Sequence, residues 1–353
     1  MKPKSIIIAV FSSAIFFLVY CTKKDFEGPS INDLYGELNI TDSLQVNNYN
    51  PDFSSGDVVS FHCGFNKSIE WKISIIGLQS NSFKEISGFS NVIDSNTITW
   101  DGNTSQLPFF EQENCAIELT FLNEPDTLRD TINIVGLKQY DDGIVVADFE
   151  NGLPVDALVS WTANIGLKTF EIANDNPLLG NSYYKMGGKV NWDWPIGKVD
   201  FKLDLSSVVV SADEFYINIG ILSDTIDLHT GQFINILISE STSPFNDDLT
   251  PNQAGQQMAD IFDADQEVYK MKVPVNWDGW QMLSFRYSEF EELSPNASGI
   301  VFNKNPNNIR GIRIAVQACP SAGANVSCPE NLDNVVRTDL DHIIFTENKA
   351  LLD

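Results

Sequence analysis

Apolar side chains recur two residues apart along most of this chain, and that period leaves few ways for it to fold. Val59, Phe61, Cys63 and Phe65 form one such run, and Ile69, Trp71, Ile73 and Ile75 form the next. In a strand successive side chains point to opposite faces, so each run marks one buried face. The pattern returns at Cys115, Ile117, Leu119 and Phe121. Later runs are Val145 to Phe149, Val199 to Leu205, Phe215 to Ile221, Tyr269 to Val275, Ile312 to Val316 and Ile343 to Phe345. Helical spacing is confined to a short piece from Asn252 to Phe262, and Gly, Pro, Asn and Asp break the chain elsewhere. The class read from this is all-β.

The first twenty residues read differently. Lys2 and Lys4 precede apolar runs from Ile6 to Phe11 and from Ala14 to Tyr20, which end at Cys21. That is the layout of a signal peptide, and it falls short of the ~20 apolar residues that span a bilayer. Phe17-Leu18-Val19-Tyr20-Cys21 resembles a lipobox, with Tyr20 in place of the usual small residue. The resemblance implies export, cleavage before Cys21 and lipidation of its thiol. Lys23, Lys24, Asp25 and Glu27 resemble the charged tag that directs lipoproteins to the outer face of the outer membrane. Residues 21–33, with Gly28-Pro29-Ser30, then read as a lipidated tether.

The chain carries 22 basic residues against 48 acids, a net charge of −26 over 353 residues. Losing residues 1–20 removes two lysines and leaves 20 against 48, or −28. A chain so acidic builds no general phosphate-binding surface, so nucleic acid is not an expected partner. Neutral ligands suit that balance better than polyanions.

The length beyond the signal segment suggests two domains. In the first, residues 34–140, Cys63 and Cys115 both face the core of one small sandwich. An exported location would allow a disulfide between them; the alternative is two buried thiols packed as small hydrophobes. Ile98-Thr99-Trp100-Asp101-Gly102 and the strand about twelve residues later are similar to bacterial immunoglobulin-like spacer domains. A polar break at Gln139-Tyr140-Asp141-Asp142-Gly143 opens the second domain, residues 141–353, whose strand spacing suits a jelly roll.

Three segments of this second domain resemble the signature segments of galactose-binding-like jelly rolls that serve as carbohydrate-binding modules. They are Val146 to Gly152, Trp280 to Phe290 and Asp339 to Phe345. A lipoprotein carrying such a module on an immunoglobulin-like spacer resembles the surface glycan-binding proteins of starch-utilisation-type import systems. That resemblance implies a polysaccharide ligand and a neighbouring outer-membrane glycan transporter as partner. It also implies a calcium ion held between first and last strands, for which Glu150, Asp339 and Asp341 occupy suitable segments. The alternative is that these are ordinary solvated carboxylates.

Sugar sites outside enzymes stack the apolar face of a pyranose on flat aromatic rings. Trp192 and Trp194 stand two apart in Asn191-Trp192-Asp193-Trp194-Pro195, and Trp277 and Trp280 form a second pair in a turn. Trp192, Trp194, Trp277, Tyr183 and Trp161 are the candidate ligand-binding residues, with core packing as the competing reading; Trp280 is read as core. Cys319 and Cys328 enclose a loop that a second disulfide would close. The three histidines, His62, His229 and His342, are isolated, and neither a metalloprotease helix nor a nucleophile elbow is present. The expectation is therefore a non-catalytic surface protein that captures a neutral β-glucan such as laminarin. A structural or adhesive lipoprotein and a polysaccharide-degrading enzyme are the alternatives.

Overall fold

The computed structural model describes residues 36–161, 168–188, 194–223, 232–241, 267–293, 299–318 and 336–352. Cys21, Trp192, Cys319, Cys328 and the helical piece expected over 252–262 lie outside the described residues. Two separate apolar cores organise the rest.

The first core is wrapped by β1 (Ile40–Val46), β2 (Val59–Gly77), β3 (Phe83–Ile93), β4 (Thr99–Trp100), β5 (Asn114–Phe121) and β6 (Thr127–Asn133). The 19-residue β2 organises this unit: its first part pairs β1 and β4, its second part pairs β5, and β3 follows it through a register shift between Gly64 and Ile69. Alternation along β2 buries Phe61, Cys63, Ile69, Trp71, Ile73 and Ile75, the positions that the period-two pattern marks. Trp100 fills the centre, edge-on to Phe53 and Phe110 at 4.8 and 5.0 Å. Its indole N–H donates to the Asn103 carbonyl at 2.7 Å.

Cys63 and Cys115 are both buried in this core, but they are free thiols, and the expected bridge is absent. Register supplies the reason: Cys115 lies opposite Gly77, at the far end of β2 from Cys63. Fourteen residues of β2 at ~3.3 Å each lie between Cys63 and Gly77, the partner of Cys115. A disulfide needs Cα atoms within ~7 Å. The Cys63 thiol instead donates to the Asp42 carbonyl at 3.2 Å. Burial pushes the Cys63 thiol up to about 11, and burial, with the nearby Glu113 carboxylate, pushes Cys115 up to about 12. Both thiols should resist alkylation in the native protein and react in urea without any reductant. A need for reductant would contradict this placement.

The second core lies between two six-stranded sheets. Its strands are β7 (Ile144–Ala147), β8 (Leu158–Trp161), β9 (Lys168–Ala173), β10 (Tyr183–Gly188), β11 (Trp194–Lys202), β12 (Phe215–Ser223), β13 (Phe233–Ser239), β14 (Val268–Pro274), β15 (Gly279–Arg286), β16 (Glu291–Glu292), β17 (Gly311–Ala318) and β18 (Val336–Glu347). One sheet runs β15-β12-β18-β10-β9, with β7 also on β18; the other runs β16-β14-β13-β17-β11-β8. Every pairing in both sheets is antiparallel. Phe215, Ile217, Ile219 and Ile221 of β12 pack toward Ile234, Ile236 and Ile238 of β13 and Ile312, Ile314 and Val316 of β17. The protein is thus all-β, an immunoglobulin-like unit followed by a larger jelly roll.

Near the centre of β18, His342 takes a left-handed φ of 45° at a bulge. The residues before it pair β10 and those after it pair β7. Its ring nitrogen Nε2 lies 2.7 Å from the carbonyl of Tyr140, on the segment arriving from the first core.

Candidate functional site

The sheet β16-β14-β13-β17-β11-β8 has one face in the core, and its other face collects most of the unusual chemistry of the chain. Val199 and Phe201 point inward from β11, so Lys198, Asp200 and Lys202 point outward. By the same alternation Arg313, Ala315 and Gln317 of β17, Phe233, Asn235, Leu237 and Ser239 of β13, Lys270 and Lys272 of β14 and Ser160 of β8 share that outer face.

Strand register sets these side chains in rows. One row runs Lys272, Asn235, Ala315, Lys198, Ser160, and the next runs Lys270, Leu237, Arg313, Asp200. Phe233 opposite Gln317 makes a shorter row at one end. Asp200 is gripped by both prongs of Arg313, with Nε–Oδ1 2.6 Å and Nη2–Oδ2 2.8 Å. Lys198 Nζ reaches the same carboxylate at 2.8 Å. The three side chains are at most 8% exposed. Such a planar, fully engaged ion set holds its strands in fixed register. Beside it Asn235 Nδ2 donates to Gln317 Oε1 at 3.0 Å. The Lys272 ammonium sits 3.8 Å from the centroid of the Phe233 ring, a cation–π contact.

Phe233, Leu237, Ser239, Lys198, Asp200 and Arg313 are buried, whereas Asn235 and Gln317 are half-buried and Lys272 is exposed; planar amides on a stiff sheet are groups that can orient a ligand with many hydroxyls. Among the described residues no histidine stands on this face, and no group of three metal-ligating side chains could hold an ion.

The candidates named from the sequence do not converge on this face. Trp194 opens β11, opposite Ala318. Trp161, at the end of β8, faces the core, stacked on Phe170 at 5.5 Å with Lys168 Nζ 4.4 Å above its ring. Trp277 packs against the same core and points its indole N–H toward the Ile221 carbonyl, 3.4 Å away. Tyr183 is fully buried on the outer side of the other sheet. Its ring is edge-on to Trp280, and its hydroxyl donates to Asp175 at 2.7 Å and accepts from Arg337 at 3.1 Å.

The three acids weighed for calcium each turn oxygens to N–H donors, while Asp341 Oδ1 has no hydrogen-bond partner. Glu150 accepts from the backbone N–H groups of Asn181 and Ser182 at 2.7 and 2.9 Å and from the Asn181 amide at 3.0 Å. Partial burial would raise its carboxyl, but these bonds outweigh that and hold it below its ordinary value. Asp341 Oδ2 accepts from the N–H groups of Leu178 and Leu179 at 2.7 and 3.1 Å. Asp339 binds the guanidinium of Arg337 and the N–H of Met186. A calcium ion needs six or more oxygens directed at one point, and among the described residues these acids do not form a group of three that could hold an ion. The acids instead latch the segment 178–182 onto β18 and the end of β7.

Lys198, Asp200, Phe233, Asn235, Lys272, Arg313 and Gln317 were not singled out from the sequence. The alternation Lys198, Asp200, Lys202 along β11 was the available signal, and it reads equally as a solvated face.

No family model matches the chain, and no curated protein matches it. Solved structures do. SGBP-B from a complex xyloglucan utilization locus in Bacteroides uniformis is 10% identical, with 88% of this chain and 73% of that chain covered and a TM-score of 0.35. The surface glycan-binding protein PbSGBP-B from Prevotella bryantii is 13% identical over 88% and 77% of the two chains, TM-score 0.38. The CBM22-1 xylan-binding domain of Paenibacillus barcinonensis Xyn10C is 11% identical over 60% and 98%, TM-score 0.29.

Proposed function

We propose that this chain is a non-catalytic glycan-binding protein that holds polysaccharide against the outer face of the β8–β11–β17–β13–β14 sheet. The observation that carries the reading is the Asn235–Gln317 amide pair. It is set beside the Phe233 ring and braced by the Arg313–Asp200–Lys198 ion set. The two amides are half-buried, at the accessible part of the face, and a braced sheet loses little entropy on binding. Export through the leader, lipidation at Cys21 and display on the outer membrane complete the proposal, with a glycan transporter as the receiving partner. These parts rest on the sequence alone.

The test is affinity gel electrophoresis of the full mature chain on a polysaccharide panel, with reducing sugar assayed in parallel. Retardation without sugar release is expected. Asn235→Ala combined with Gln317→Ala should weaken retardation by about tenfold or more, the effect of losing a central polar anchor worth ~1 to 3 kcal/mol, while the melting temperature changes little. Sugar release would replace the reading with an enzyme, and no retardation on any glycan would end it.

A further inference from the structure

We infer that the first domain carries a second glycan contact, a platform on the outer face of β2 and β3 where the Phe89 ring stacks on one pyranose of a neutral polysaccharide. The inference rests on the glycan-binding reading above for the class of ligand. Among the described residues Phe89 is the one aromatic side chain more than half exposed, at 74%. Left in water, it forfeits the burial energy that rings elsewhere in the chain contribute. The strand around it alternates: Ile86 packs toward the core, while Glu85, Ser87, Phe89 and Asn91 are exposed.

The backbone under the ring is fixed from the inner face. Trp71, buried in the first core, lies opposite Gly88, and a side-chain carbon at Gly88 would collide with its indole. The indole N–H donates to Ser90 Oγ at 2.9 Å, and that hydroxyl donates to the Val92 carbonyl. One buried ring thus holds both residues that flank Phe89. Across the strand pair Phe89 lies opposite Glu70. Leu122, 54% exposed, lies on the other side of Glu70, its N–H bonded to the Glu70 carbonyl at 3.0 Å. The row Phe89, Glu70, Leu122 spans two strand spacings, ~10 Å. The Glu70 carboxylate, the Ser87 hydroxyl and the Asn91 amide are all exposed and make no hydrogen bond or ion pair among the described residues.

These surroundings select the occupant. Stable protein interfaces bury ~800 Å² on each partner around an apolar centre, and two apolar side chains divided by a carboxylate do not make one. A flat ring edged by a carboxylate, a hydroxyl and an amide matches a pyranose, whose C–H face is apolar and whose rim is hydroxyls. Lys72 on the same face is taken by Glu85 at 3.1 Å, which leaves Glu70 as the unanswered charge and sets a neutral chain ahead of a uronate. Beyond the Phe83–Gln106 bridge, β3 pairs no strand but β2 among the described residues, so a chain lying along the row can run off the sheet edge. Two contacts on one polysaccharide reinforce each other, because the second forms at the effective concentration set by the first. The immunoglobulin-like unit is then more than a spacer.

The experiment uses the full mature protein on affinity gels containing neutral or uronic-acid polysaccharides. On the neutral polysaccharide that retards the wild type, Phe89→Ala should weaken binding about tenfold, the effect of one aromatic anchor. The melting temperature should stay unchanged, because the ring is exposed. Phe89→Tyr, which keeps a flat face, should bind like the wild type; Phe89→Leu, apolar but not flat, should fall with alanine. Sedimentation of the wild type and Phe89→Ala reads whether a second copy takes the ring instead. Unchanged binding by Phe89→Ala, full binding by Phe89→Leu, or retardation by uronic-acid polysaccharides alone would overturn the platform and leave glycan capture by the second domain standing. Self-association that Phe89→Ala abolishes while glycan binding stays intact would do the same. Failure of the wild type to bind any polysaccharide would overturn the glycan reading itself.

Discussion

Asp200→Ala should destabilise the second domain by about 3 to 5 kcal/mol, because it removes the acid that two buried cations share. Arg313 approaches both oxygens of Asp200, at 2.6 and 2.8 Å, and Lys198 approaches Oδ2 at 2.8 Å. All three side chains are nearly inaccessible. Burying such charges is costly in itself, and their mutual attraction offsets that cost only while the set is complete. The urea midpoint should fall with no change in slope. Replacing the three together, as Lys198→Met with Asp200→Leu and Arg313→Met, should cost less than Asp200→Ala alone, since neither buried cation is then left without its carboxylate. A single-variant loss below about 1 kcal/mol would place the three groups in contact with water. The triple variant has a second use: if it folds but no longer binds glycan, the ion set contributes to recognition as well as to register.

The same residues show what sequence reading reaches and where it stops. The inward positions were legible because period two is a local property: Phe61, Trp71 and Ile75 of β2, and Ile217 and Ile219 of β12, are all buried. Position along a strand was not. Cys63 and Cys115 were correctly given to one core, yet facing the same side says nothing of register, and register sets them at opposite ends of β2. The outer face failed for a related reason. Lys272, Asn235, Ala315 and Lys198 form one row from four strands that are distant in sequence, and nothing in any one strand announces the row. A lone Lys198-x-Asp200 reads as solvated surface until β17 brings Arg313 against it. The aromatic candidates carry an ambiguity of their own. A ring that can stack on sugar can also fill a core, and Trp161, Trp277 and Tyr183 are packed or hydrogen-bonded within the protein.

Asp341→Asn should remove a pH dependence of stability that the wild type carries between pH ~4 and ~7. Asp341 is 1% exposed, and only its Oδ2 accepts hydrogen bonds, from the N–H groups of Leu178 and Leu179; its Oδ1 is buried without a partner. Burial pushes its carboxyl up to about 7, against the pull of those hydrogen bonds, and the nearby Glu150 carboxylate adds to the rise. In the unfolded chain the same group titrates near ~3.9. Below that value both states hold the proton and the group is neutral to folding. Between ~4 and ~7 the folded state holds a proton that the unfolded state has released, so stability falls as pH rises, by about 1.4 kcal/mol per unit. The accumulated loss by pH ~7 is about 4 kcal/mol, after which both states are ionised and the slope ends. Asparagine keeps an oxygen for the two N–H groups and carries no charge at any pH. Urea denaturation of both proteins from pH 4 to 8 should therefore show the variant gaining on the wild type as pH rises, with the difference levelling above ~7. Curves that stay parallel would show that Asp341 is already ionised at pH 4, and its burial would then have to be relieved by a partner for Oδ1.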